Sequence, residues 1–336
     1  MRCLVLGGTG FIGRAVVAEL VRRGHRVAVL HRGVTPWEPI PGVEYVRGDR
    51  TRLGDLRDRL LALRPDAVVD AAPRGPDSAP VVALFRDRIR ASVHISSQAV
   101  YRAWQVAWTG RGNPDPVPLT EDSPLRSRPG LGEDGYEPLL TEQAVRGQPG
   151  FPATVLRLPP VYGPGDHHGR EWLVIRRLLD GRTILPVGGG AAWLWTRAHV
   201  ADVARAVALA AASSRAAGEV YNVGEPRALT LAAWARAVAR AMGREIRLVR
   251  IPDRLLPPHL QLFAYRPQHM LSSSERIRAH LGYREGRPPE ESLAETVRWH
   301  LEHPPPGGGP APDYAAEDAA LARARELGLA AEDPDE

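Results

Sequence analysis

The stretch Cys3-Leu4-Val5-Leu6-Gly7-Gly8-Thr9-Gly10-Phe11-Ile12-Gly13-Arg14 decides the fold of this chain. Its apolar start, Cys3 to Leu6, reads as a buried strand, and Arg14 to Val21 reads as the helix that follows. Between them lie Gly7, Gly10 and Gly13. Glycines there let the backbone approach a pyrophosphate, and the helix N-terminus meets it with free N–H groups and the positive end of its dipole. The plain alternative is a tight strand-to-helix turn without ligand. Strand, helix and N-terminal position together favour the dinucleotide-binding reading. Thr9, Phe11, Ile12 and Arg14 complete the expected contacts of this turn.

Composition narrows the class. With 336 residues, 43% hydrophobic and 25% charged, the chain suits one large or two ordinary globular domains. No apolar run reaches the ~18 residues of a membrane helix. Met1-Arg2 leads straight into the first strand, so no signal peptide is expected. The single cysteine, Cys3, excludes an internal disulfide and a cysteine metal cage. A cytoplasmic location is the expectation. A net charge of +5 without a dense basic tract does not indicate a nucleic-acid partner, and no membrane partner is expected. All 44 residues of the Lys+Arg total are arginine, so no step can use a lysine.

Strands alternate with helices up to about residue 165. Arg26–Leu30, Val43–Val46, Ala67–Ala72, Ser92–Ser97 and Ala153–Leu158 follow the first strand, with helical spacing over 53–63. That alternation predicts an α/β fold: a doubly wound parallel sheet of the Rossmann kind, with a smaller C-terminal substrate lobe. Residues 1–165 form the dinucleotide-binding domain, completed by 193–224. Residues 166–192 and 225–303 form the lobe. Strands are expected at Trp193–Thr196, Glu219–Val223 and Ile246–Val249, and helices at Val200–Ala212, Leu231–Met242 and 290–302. Pro304 to Gly309 is a linker, and 304–336 an accessory tail with a helix capped by Asp313 and closed by Gly328.

These blocks resemble the extended or atypical short-chain dehydrogenases/reductases, within them the NAD-dependent epimerase/dehydratase group, and bacterial proteins akin to chloroplast stem-loop-binding proteins. The resemblance spans residues 1 to about 303. It rests on Gly7–Gly13, Gly48-Asp49, Ser96-Ser97-Gln98-Ala99-Val100-Tyr101, Leu156 to Gly165, His199 to Arg205 and Gly218 to Gly224. It implies a small-molecule substrate, allows a homodimer, and carries an RNA-associated role by analogy alone.

Folds of this type often hold the adenosine ribose with a carboxylate at the end of the second strand. Here that strand ends in His31-Arg32-Gly33. Arg32, helped by Arg14, suits a 2′-phosphate, which favours NADP(H) over NAD(H). Alternatively Arg32 is solvated and backbone groups hold an NAD ribose. The resemblance places Asp49 near the adenine, where it also suits a turn. Ala71 and Ala72, after the fourth strand, complete the cofactor set.

Enzymes of this family use a serine or threonine, a tyrosine, and a lysine four residues after that tyrosine. Ser97 matches the serine, or serves only as a strand-end hydroxyl. Tyr136 is the tyrosine candidate, or a loop residue without a chemical role. Leu140 stands at the lysine position, and the stretch beyond it is about two residues short of the family pattern. Such a deletion turns the rest of a helix by ~200°. Pro138 is tolerable only in a first turn. A free tyrosine has a pKa of ~10, so ionising it near pH 7 costs about 4 kcal/mol without a lysine to offset it. Tyr136 is therefore expected to stay protonated, which suits reduction better than oxidation. Arg102 and Arg146 are candidate substitutes for the missing charge by sequence proximity.

Asp166-His167-His168 with Glu171 matches no closed metal site, and adjacent histidines usually diverge, so no metal is assigned. The segment reads as a polar loop at a strand's C-terminal end. Strand alternation puts Trp193, Trp195 and Arg197 on one face, able to stack a ring and hold a phosphate or carboxylate of the substrate. The alternative is core packing. His199 and Asp202 match family positions, or serve only to fix the loop before the helix. The resulting expectation is an NADP(H)-dependent reductase with a lysine-free active site. A dinucleotide-binding sensor or scaffold without redox chemistry is the alternative.

Overall fold

The computed structural model describes residues 1–34, 37–129, 137–309 and 311–333. Its strands in chain order are β1 (Arg2–Leu6), β2 (Arg26–His31), β3 (Glu44–Arg47), β4 (Ala67–Asp70), β5 (Ala91–Ser97), β6 (Ala153–Leu158) and β7 (Val161–Tyr162). Then come β8 (Ile184–Val187), β9 (Leu194–Trp195), β10 (Ala198–His199), β11 (Val220–Asn222), β12 (Leu229–Thr230), β13 (Arg247–Arg250) and β14 (Ala331–Glu332). The helices are α1 (Phe11–Arg22), α2 (Arg57–Ala62), α3 (Ser78–Phe85), α4 (Arg102–Thr109), α5 (Pro138–Val145) and α6 (Trp172–Leu179). They continue with α7 (Val200–Ala212), α8 (Leu231–Ala241), α9 (Glu275–Leu281), α10 (Pro289–Glu302) and α11 (Tyr314–Glu326).

Seven strands form one parallel sheet in the order β11-β6-β5-β4-β1-β2-β3. Strands β4 and β6 are buried at every residue, which is why they read as near-continuous apolar runs. Val16, Val17 and Leu20 of α1 pack with Val203, Ala206 and Val207 of α7 on one face of the sheet. Val81, Val82 and Phe85 of α3 and Val145 of α5 cover the other. Helix α1 ends where the His25 N–H reaches back to the Leu20 carbonyl and Gly24 adopts φ +78°. The doubly wound architecture expected from the alternation is the one observed.

The second apolar core belongs to the smaller lobe and includes Ile175, Leu185, Trp193, Trp234, Leu248, Leu293 and Leu321. Two local expectations change. The segment 53–63 is not one helix: a 3-10 stretch, Arg50–Leu56, precedes α2, because Asp49 caps it early and Arg52 is non-helical (φ −120°, ψ 39°). The strand expected at Trp193–Thr196 stops at Trp195, and β10 pairs with a different partner from β9. The tail is also no loose appendage. Asp313 caps α11 as expected, but Glu317 of that helix is buried against Arg177 and His259, and β14 pairs with β13. No helix among the described residues is long and apolar enough to cross a membrane.

Candidate active site

The C-terminal ends of β1, β4, β5 and β6 lie in register, since Leu6 pairs with Asp70, Asp70 with His94, and Ser97 with Leu158. Gly7 turns with φ +79°, and a Cβ there would stand 2.8 Å from the Ala72 Cβ. A Cβ on Gly13 would collide with the Gly7 carbonyl oxygen, so its role is to let α1 dock on the turn. At Gly10 the only neighbour a Cβ would meet is that same oxygen, at 3.7 Å. Gly10 is the N-cap of α1, and no side chain caps the helix. The first-turn N–H groups of Phe11, Ile12 and Gly13 are thus left for an anion, and the turn fits a diphosphate. Thr9 lies in the same turn, and Ala71 follows β4 with its N–H on the Leu6 carbonyl.

At the adenosine end, His31 is boxed by Trp37 and Tyr45, with ring centroids at 5.0 and 5.8 Å. Arg32 is exposed. The Arg47 side chain would lie 3.5 Å from a Cβ on Gly33, so a second guanidinium stands at the same lip. Arg14 reaches only an exposed partner, Glu38, at 3.5 Å. Asp49 is occupied: its carboxylate accepts from the Thr51 N–H and hydroxyl, both at 2.9 Å, and those bonds hold it below the ordinary range. It is thus engaged as a turn residue.

Arg50 was not among the sequence candidates. Its guanidinium holds both oxygens of buried Asp70 (2.5 and 2.7 Å) and the Ala72 carbonyl (2.7 Å). It therefore fixes the segment that faces Gly7. The signal was a carboxylate ending an otherwise apolar strand, because a buried charge requires a partner.

Adjacent serines at the end of β5 divide their tasks by strand alternation. The Ser96 hydroxyl donates to Glu142 Oε1 at 2.7 Å, inside the protein. Ser97 Oγ accepts from the Ala99 N–H at 3.1 Å, which leaves its own proton free to donate outward. Glu142 of α5 also takes two hydrogen bonds from buried Arg157 of β6, at 2.9 and 2.7 Å. Arg157 continues to the Tyr101 hydroxyl (3.1 Å), which donates to Asn222 Oδ1 (2.6 Å). This network locks α5 to the sheet.

Helix α5 begins at Pro138, with Glu137 as its cap and Arg126 bonded to Glu137 at 2.7 Å. Leu140 lies against Gly75, whose Cβ would be 3.3 Å from the Leu140 Cβ. Tyr136 lies outside the described residues. Arg102 and Arg146 do not replace a lysine here: each is partly exposed and turned to a carboxylate, Arg102 to Asp115 and Arg146, at 3.7 Å, to the Glu142 that Arg157 already holds.

The expected single face of Trp193, Trp195 and Arg197 is not what the structure holds. Because β9 ends at Trp195, Arg197 departs from the alternation. The Trp193 and Trp195 rings lie 4.7 Å apart in the lobe core, with the exposed Trp108 edge-on to Trp193 and the partly buried Trp104 against Trp195. Trp193 is 1% exposed and donates to the Gln268 carbonyl. Trp195 is also buried, with an indole N–H that has no acceptor. Arg197 instead stacks over Trp234 at 4.1 Å and donates to the Trp195 carbonyl, and burial lowers it to about 10.

Near Arg197, the Tyr162 hydroxyl donates to Glu225 at 2.7 Å, and burial raises that carboxyl to about 7. Asp202 accepts from the Gly286 N–H at 2.8 Å, and His199 faces Glu295 at 3.5 Å, so both tie α7 to the following lobe. The His167 and His168 rings do not diverge: their centroids are 4.4 Å apart, with 32° between planes.

The model of the NAD dependent epimerase/dehydratase family matches residues 3–224. Among curated proteins, the chain is 25% identical over 309 residues to the chloroplast stem-loop binding protein of 41 kDa b of Arabidopsis thaliana, covering 88% of this chain and 76% of that one. It is 30% identical over 262 residues to 2'-dehydrokanamycin reductase of Streptomyces kanamyceticus, covering 75% and 70%. Among solved structures, dTDP-glucose 4,6-dehydratase of Streptomyces venezuelae with NAD bound is similar at a TM-score of 0.66 and 25% identity, over 90% of this chain and 98% of that one.

Proposed function

The chain belongs to the NAD-dependent epimerase/dehydratase family, and on that premise we propose that it is an NADP(H)-dependent reductase of a polar, sugar- or nucleotide-like small molecule. One observation carries the cofactor choice. The end of β2 offers Arg32 where a ribose-reading carboxylate would stand, with Arg47 beside it and Asp49 already engaged by Thr51. Guanidinium groups suit a 2′-phosphate through charge-assisted hydrogen bonds. The substrate class draws support from relatives named for 2'-dehydrokanamycin and dTDP-glucose.

When bound, NADPH supplies the hydride. The residues of this chain supply the rest. Ser97 donates a hydrogen bond to a substrate carbonyl oxygen and orients it. Tyr136, protonated at neutral pH, gives that oxygen its proton. With no lysine anywhere in the sequence, the phenolate needed for alcohol oxidation has no ammonium to stabilise it.

Fluorescence titration with NADPH and NADH tests the cofactor assignment. NADPH is expected to bind at least tenfold more tightly, and Arg32→Glu to reverse that order. Equal binding in both proteins refutes it. Absorbance of NADPH against a panel of carbonyl compounds tests the reaction, and Tyr136→Phe is expected to slow turnover by about 10²–10⁴. The missing lysine and an α5 that starts at Pro138 favour a second reading, a dinucleotide-binding sensor without redox chemistry. Tight NADPH binding with no consumption across the panel selects it.

A further inference from the structure

The N-terminal edge of the sheet, opposite the dinucleotide turn, gathers positive charge around a hollow. A cavity of about 340 Å³ opens there, and Arg2, Arg64, Asp66, Phe85, Arg88 and Arg90 are among the residues that line it. Arg2 opens β1, Asp66 directly precedes β4, and Arg90 directly precedes β5, so three neighbouring strands bring their charges to one rim. Arg64 and Arg88 come from the turns that lead into β4 and β5. Gly7 stands at the far end of β1, roughly 15 Å away at about 3.3 Å per residue.

One lining carboxylate faces four guanidinium groups. Asp66 accepts from the Arg2 N–H at 2.8 Å and lies 3.5 Å from the Arg2 guanidinium. That backbone bond, with the arginines nearby, holds its carboxyl below the ordinary range, so it is ionised and shared with Arg2. Arg64, Arg88 and Arg90 are exposed, and among the described residues their side chains have no hydrogen bond or ion pair. Asp87 does not supply the missing charge, because its carboxylate is turned over Gly150, where a Cβ would collide with it. Many other surface arginines lie beside a carboxylate, as Arg22 and Arg23 do with Glu19 and Arg287 with Glu295.

The turns that carry these arginines are held in unusual conformations. Arg64 and Asp87 are the two non-glycine residues with left-handed φ among the described residues, at +45° and +58°. Such backbone is strained for any residue with a side chain, and it clusters at binding sites. The Asp87 N–H on the Gly150 carbonyl and the Arg90 N–H on the Asp66 carbonyl, both at 2.8 Å, fix the second turn at either end.

Guanidinium groups hold phosphate oxygens through paired, charge-assisted hydrogen bonds. Three unneutralised groups suit a compact ligand of high charge. A hollow of this volume is in the range of small-molecule sites, whereas a polymer backbone needs an extended groove. We propose that this cavity binds a small molecule bearing a diphosphate, at a site separate from the dinucleotide turn.

The test titrates inorganic pyrophosphate into the full chain by calorimetry at low ionic strength. Uptake at the cavity is the part that survives Gly10→Val, which obstructs the dinucleotide turn. Arg64→Gln with Arg88→Gln is expected to weaken that part by about tenfold or more, the loss expected for hydrogen bonds to a charged group. NADPH titration is expected to be unchanged by the same pair. Arg240→Gln with Arg298→Gln removes equal charge from exposed helix positions and is expected to leave pyrophosphate binding intact. Circular dichroism checks folding, and if the double variant does not fold, Arg88→Gln alone is read with the same direction of loss. Pyrophosphate uptake indifferent to Arg64 and Arg88, or an equal loss in the Arg240 and Arg298 variant, overturns the proposal. So does an RNA oligonucleotide that binds through Arg64 and Arg88 and is not displaced by pyrophosphate.

Discussion

Gly10 and Gly13 stand three residues apart and serve different needs. Gly13 is required by packing, since any side chain there meets the Gly7 carbonyl. Gly10 has room and an ordinary φ of −80°, so what it keeps clear is the approach to the helix N-terminus. Their substitutions should therefore separate folding from binding. Gly13→Ala is expected to lower stability by roughly 1–3 kcal/mol, the range for overpacking a filled site. Gly10→Val is expected to keep the melting temperature within a few degrees while abolishing NADPH uptake. Thermal melting and fluorescence titration of both variants check this, and parallel loss of both properties at Gly10 would sink the distinction. Both glycines were legible in the sequence, but which one guards the ligand was not. That depends on what lies opposite each Cα.

Helix α5 shows what an element costs to rebuild. It is short, starts with proline, and buries five of its eight residues, including Glu142. The Glu142–Arg157 pair holds it to β6, with Ser96 and Tyr101 saturating the remaining bonds. Removing one partner leaves an uncompensated buried charge, which costs about 3–5 kcal/mol. Arg157→Met is thus expected to destabilise by that amount in urea titration, and Arg157→Met with Glu142→Leu by clearly less. Equal losses would mean that packing, not charge, dominates the contact. Elements with strong local signals, such as α7 and the capped α11, follow their sequence pattern closely. The strand at Trp195 does not, because its pairing partners change after two residues.

The two lobes meet at a junction of buried titratable groups, and this makes the whole molecule sensitive to pH. Glu225 sits there, 8% exposed and bonded to Tyr162. Burial raises its carboxyl from 4.5 to about 7. The folded state therefore holds this proton more tightly than the unfolded chain. The stabilisation is complete below about pH 4.5 and is lost as pH rises through about 7, amounting to about 3 kcal/mol at 1.36 per unit. Urea midpoints measured across that window should fall in the parent chain and stay flatter in Glu225→Gln; identical slopes would remove Glu225 as the cause. The amino-acid order by itself determined the parallel sheet, the glycine turn and the absence of lysine, because each depends on residue type and local periodicity. Only the tertiary structure decided that Arg50 seals Asp70, that Trp193 belongs to the core, and that His300 meets Glu171. Those contacts join segments 20 to 130 residues apart, and burial leaves their polar atoms no alternative but one another or a ligand.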